Sequence, residues 1–92
     1  MNRRVLYHPS VFSEDLPQIP RNIQQRIKRA IESRLFIDPV LAGVPLRRDL
    51  KGYRKMRVGD YRIIYRVETN KILVLIIGHR KEVYRRVFNR DL

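Results

Sequence analysis

Between residues 20 and 35 the apolar positions fall at helical spacing. Ile23, Ile27, Ala30, Ile31 and Leu35 make one stripe of an amphipathic helix that Pro20 starts and Asp38-Pro39 stops. Arg21, Gln24, Gln25, Lys28, Arg29 and Glu32 fill the outer face, as a solvated or a basic contact surface. Upstream, Arg3 to His8 suits a short strand. Pro9 ends it and opens a first helix, with Phe12 and Leu16 as an i, i+4 pair on the inner face, before a break between Pro17 and Pro20.

After a loop from Val40 to Pro45 that contains Gly43, the period falls to two. Leu46 and Leu50 anchor the loop, and Lys51-Gly52 turns the chain into a strand over Tyr53 to Val58. There Tyr53, Lys55 and Arg57 point one way and Arg54, Met56 and Val58 the other. Gly59-Asp60 is a two-residue hairpin signal. The next strand, Tyr61 to Val67, sets Tyr61, Ile63, Tyr65 and Val67 against Arg62, Ile64 and Arg66. Ile72 to Ile77 is apolar on both faces, as a central buried strand requires, and Gly78 ends it. The tail, Arg80 to Leu92, reads as a short helix with Val83 and Val87 at i, i+4, and with Arg80 and Tyr84 sharing a face. The order β-α-α-β-β-β-α predicts a single α+β domain over residues 1–92. Its antiparallel-rich, four-stranded sheet carries two N-terminal helices on one face and leaves the other face open.

Charge changes this picture. Twenty-one Lys and Arg against 9 Asp and Glu give a net charge of +12, a field that draws in polyanions such as nucleic acid. Cysteine is absent and the two histidines, His8 and His79, are far apart, so neither a disulfide framework nor a metal centre is expected. No secretory leader pattern opens the chain and no apolar run is long enough to cross a membrane, which points to the cytoplasm. On the open sheet face Arg62 and Arg66 stand together with Arg54, Lys55 or Arg57, depending on register. Such cations are ordinary solvated residues or a nucleic-acid surface, to which Lys81 past the last strand also belongs.

Two blocks carry a family resemblance. Leu50-Lys51-Gly52 is followed by Met56-Arg57-Val58-Gly59-Asp60-Tyr61-Arg62-Ile63-Ile64-Tyr65, and later comes Ile77-Gly78-His79-Arg80-Lys81-Glu82-Val83-Tyr84. In this order and spacing they resemble the RelE/ParE superfamily of type II toxins, over nearly the whole chain. The resemblance implies a RelE-like fold and a toxin held inactive by a cognate antitoxin. RelE-like members cut messenger RNA in the ribosomal A site. ParE-like members share the fold, inhibit DNA gyrase and generally lack the cleavage residues. Arg62, Arg80, Tyr84 and Lys55 match family site positions, which favours the RelE-like branch. Where the family has a second lysine on its strand, this chain has Tyr53, with Arg54 beside it.

Metal-free RNA cleavage by the ribose 2′-hydroxyl needs a proton acceptor, a charge stabiliser and help for the leaving oxygen. Arg62 suits the phosphate clamp, because a guanidinium holds two phosphate oxygens in a fixed fork. Lys55 adds a point charge. A guanidinium gives up its proton reluctantly, so Arg80 is expected to stabilise the leaving group's charge. Tyr84 is open to three readings: a base if arginines favour phenolate, a platform under a nucleobase, or a ring packed on Phe88. His79 is the proton-transfer candidate if it faces the site, since histidine is the side-chain type suited to that task near neutral pH, and a structural histidine if it does not. A cleavage-dead member that binds only RNA or antitoxin is the remaining alternative.

Overall fold

Five strands form one mixed sheet in the order β1-β5-β4-β3-β2 in a computed structural model that describes residues 3–90. They are β1 (Arg4–Tyr7), β2 (Val44–Pro45), β3 (Arg54–Val58), β4 (Tyr61–Val67) and β5 (Lys71–His79). β1 runs parallel to β5 and the other three pairings are antiparallel. The expected four strands are all present. The fifth, β2, is a two-residue pairing of Val44 with Lys55 and Pro45 with Arg54, inside the segment expected to be loop. It is too short to leave a periodic signal. The β3–β4 connection is the expected two-residue turn, and Gly59 takes the positive φ of 59° that such turns need.

Alternation on β4 sorts the core into two layers. Ile63 and Tyr65 face the helices with Met56, Val74 and Ile77, over Ile27, Ile31 and Leu35 of the long helix. That helix is α1 (Arg21–Ala30), extended by a π-helical turn, Ile31–Leu35. Ile64 faces the other way, with Leu75, Ile76, Val83, Val87, Leu50 and Tyr53. A register shift between Ile64 and Tyr65 leaves Leu75 unpaired on β5, so Leu75 and Ile76 both join this second layer. The second face is therefore not open, as the sequence led us to expect. Leu50 and a C-terminal helix, α2 (Val83–Val87), cover part of it. Of the tail expected to be helical, Asp91 and Leu92 lie outside the described residues.

The N-terminal helical segment differs from its expected phase. It is a π-helical turn, Val11–Asp15, followed by a 3-10 turn, Leu16–Gln18, rather than a regular α-helix. Val11 and Asp15 are buried, whereas Phe12 is 58% exposed and packs edge-on against Tyr7 at 5.4 Å. A changing helical period moves the inner face by one position, which an assumed 3.6-residue repeat misplaces. Leu16 keeps a partly buried place against the core.

Tyr65 ties the loop after α1 to the sheet. Its hydroxyl donates 2.7 Å to the Pro39 carbonyl in a buried setting. Tyr65→Phe leaves that carbonyl unpaired and is expected to cost about 1–2 kcal/mol in urea unfolding. Burial pushes this phenol's pKa up, partly countered by the Arg54 guanidinium beside it. The folded state then keeps a proton that the unfolded chain releases. The neutral phenol's contribution is complete below the ordinary phenol range and declines as pH rises above about 10. Stability of the wild type should fall more steeply there than that of Tyr65→Phe.

Candidate active site

The uncovered strip of the second face holds the cations. On the β3–β4 ladder Arg57 lies directly opposite Arg62, and Lys55 opposite Ile64, so all three side chains share this face. Across β4 the partner of Arg62 is Gly78, which puts no side chain beside the guanidinium. Arg62 Nη1 donates to the Gly59 and Tyr61 carbonyls at 3.1 and 3.0 Å, fixing the fork on the hairpin. Among the described residues no carboxylate pairs with Lys55, Arg57 or Arg62. Arg57, expected only as a nucleic-acid contact, thus stands beside the expected clamp.

α2 brings Tyr84 to the same strip. Lys55 Nζ sits over its ring, 5.4 Å from the centroid, within the range of a cation–π contact. Arg80 follows β5, and its backbone N–H donates 2.8 Å to the Asp60 carbonyl, placing it at the hairpin end of the sheet near Arg62. Its side chain reaches Asp60 at 3.5 Å, but both groups are more than half exposed (52% and 69%), so the pair binds weakly and opens easily.

Four expected members stand elsewhere. His79 is the ladder partner of Tyr61, and the two rings meet edge to face at 5.5 Å on the helix side of the sheet. Its Nδ1 accepts the Lys81 N–H at 3.2 Å, so the strand's alternation separates it from Arg62. Arg54 lies on the helix side as well, donating to the Val40 and Gly43 carbonyls at 2.7 and 3.0 Å, where it braces the loop. Arg66 shares the Arg62 face but is bound to Glu68 at 2.6 Å and lies over Tyr53 at 5.4 Å, which removes it from the free cations. Lys81 sits on the exposed turn after β5. Among the described residues no three His, Asp or Glu side chains gather as a metal site would need.

The sequence reading missed Asp15. This carboxylate is 0% exposed and holds Arg86 at 2.6 Å and Arg90 at 2.7 Å, while also accepting the Ile77 N–H at 3.0 Å. Arg86 is thus a partner of a buried acid. A carboxylate four residues after an apolar one on a helical turn was the available signal. Regular helical phasing hid it.

The arrangement can grip a phosphate between Arg57 and Arg62 and seat a flat ring against Tyr84. Similarity to known proteins agrees with the fold. Residues 5–84 match the model of the ParE toxin of type II toxin-antitoxin system, parDE. Toxin RelG of Mycobacterium tuberculosis is 35% identical over 74 residues, covering 78% of this chain and 85% of that protein. Toxin RelE of the same organism is 30% identical over 84 residues, covering 86% and 87%. The crystal structure of the toxin-antitoxin complex RelBE2 from Mycobacterium tuberculosis contains a chain that superposes with a TM-score of 0.79 at 28% identity, covering 87% of this chain and 100% of that one. Likeness of this extent, in sequence and in fold, makes the chain a member of the RelE/ParE family of type II toxin-antitoxin toxins.

Proposed function

We propose that this toxin is a ribosome-dependent endoribonuclease that cuts messenger RNA in the A site and is neutralised in the cytoplasm by a cognate antitoxin protein. The observation that carries the reading is the trio Lys55, Arg57 and Arg62, uncompensated by any described carboxylate and facing Tyr84. The relatives named as RelE-type toxins, and the solved neighbours that are complexes with antitoxins, support it.

In the reaction the ribose 2′-oxygen attacks the adjacent phosphorus and the bond to the 5′-oxygen breaks. The products are a cyclic phosphate and a free 5′-hydroxyl. Arg62 and Arg57 hold the phosphate oxygens from two sides and take up the charge that grows in the transition state. Lys55 adds charge and fixes the Tyr84 ring, on which a base of the message stacks. Arg80, once free of Asp60, stabilises the departing oxygen, which takes a proton from water to become the 5′-hydroxyl. The 2′-proton leaves to water or to the ribosome, since His79 lies on the other face.

Primer extension on a message being translated in vitro tests this. Cuts inside A-site codons are expected with the antitoxin-free protein, and none without ribosomes. Ribosome-independent cuts, or no cuts from a folded preparation, would overturn the reading. The match to a model described as ParE toxin favours gyrase inhibition as the second reading. A supercoiling assay on the same preparation decides it.

A further inference from the structure

We propose that Asp15 is a positioning residue for Tyr84, acting through Arg86 and Arg90; the inference rests on the endoribonuclease reading above. α2 has only five residues, Val83–Val87, far fewer than a helix needs to hold itself together in water. Its place is set from outside. Val83 and Val87 are buried in the second layer, and Tyr84 packs against it only in part. Two buried valines fix the distance of the helix from the sheet but hold its roll weakly.

Helical spacing puts Arg86 on one flank of the valines and Tyr84 on the other, and Arg90, past the end of α2, joins Arg86 at the same carboxylate. On the arginine flank, Asp15 Oδ1 accepts Arg86 Nη2 at 2.6 Å and Arg90 Nη2 at 2.9 Å, and Oδ2 accepts Arg90 Nη1 at 2.7 Å. Arg90 is thus held by both prongs of its fork, a geometry that fixes direction as well as distance. The same Arg90 Nη1 donates 3.1 Å to the Leu75 carbonyl, and Asp15 Oδ2 takes the Ile77 N–H. Gly78 lets the helix sit close: a Cβ there would lie 3.2 Å from Arg86 Nη1 and 3.3 Å from Val83 Cβ. The carboxylate therefore sets the roll of α2 against a rigid strand, and the roll decides whether Tyr84 meets Lys55. Misplacement of a reacting group by about 1 Å can cost on the order of a hundredfold in rate.

The test is a double-mutant cycle on single-turnover cleavage of ribosome-bound message, using Asp15→Asn and Tyr84→Ala. Asn keeps an acceptor for Ile77 but loses the charge that binds both arginines. Asp15→Asn is expected to slow cleavage roughly tenfold with KM unchanged, and by less than about twofold when Tyr84 is already alanine. Equal slowing in both backgrounds, or a rise in KM with kcat unchanged, would show a structural role and overturn the inference. Should Tyr84→Ala cleave like wild type, the stacking role fails first and the positioning role with it, a result distinct from additivity. Arg86→Gln leaves the Arg90 fork on Asp15 and runs in the same cycle, so a poorly folding Asp15→Asn still leaves a decisive arm.

Discussion

Alanine at Gly43 is expected to destabilise the fold by about 3 kcal/mol, the upper end of what overpacking costs. The glycine lies between α1 and β2, where an added Cβ would stand 2.6 Å from Tyr65 Oη and 2.8 Å from the Lys55 carbonyl carbon. Neither neighbour can move cheaply. Lys55 is held in the ladder between Val44 and Ile64, and Tyr65 is fully buried with its hydroxyl on Pro39. The loop cannot retreat without losing the Arg54 bond to the Gly43 carbonyl. A chain of this length has roughly 5–14 kcal/mol in total, so the loss is a large share of it. Melting followed by circular dichroism should show a fall of about 15 °C. A fall under about 5 °C would mean the loop yields and the close approach is unimportant. Gly52 makes the useful contrast: nothing lies within 4 Å of its Cβ position, and its cost comes only from a φ of +97°.

Arg62→Ala is expected to lower cleavage by about a hundredfold to a thousandfold while the melting temperature stays near that of the wild type. The side chain is half-buried with one amine on hairpin carbonyls and no carboxylate to leave stranded, so its removal also relieves repulsion from Arg57 opposite. Arg62→Lys should recover little, because an ammonium cannot grip two oxygens in one plane. Single-turnover cleavage with a parallel melt checks both points. An alanine variant that stays folded and cuts within about threefold of wild type would remove Arg62 from the chemistry.

Where one face of an element is buried throughout, the sequence showed it. The Tyr61–Val67 alternation, the two-sided apolar run inside β5 and the stripe from Ile23 to Leu35 all read correctly, the last because Ile27, Ile31 and Leu35 stay buried on one face through the π-helical turn. The candidate site was legible in part for the same reason: Lys55, Arg57 and Arg62 share a face once the hairpin turn fixes their pairing. Other features depend on register or on distant partners. His79 falls on the Tyr61 side because the β4–β5 pairing puts it there, and the neighbours of Arg54 come from a loop 11 and 14 residues earlier. Asp15 finds its partners 62, 71 and 75 residues away, beyond the reach of any local pattern.

Those same long spans bear on when a nascent chain becomes a working toxin. β1 has its only ladder partner among the described residues in β5, and Asp15 waits for Arg86 and Arg90. During synthesis the first strand and the first helical turns emerge with nothing to join, and loop closure over such spans is slow. Residue 90 has to clear the exit tunnel before α2 can be drawn onto the sheet and Tyr84 onto Lys55. The site is thus assembled last, after the strands and the long helix that carry it have been made.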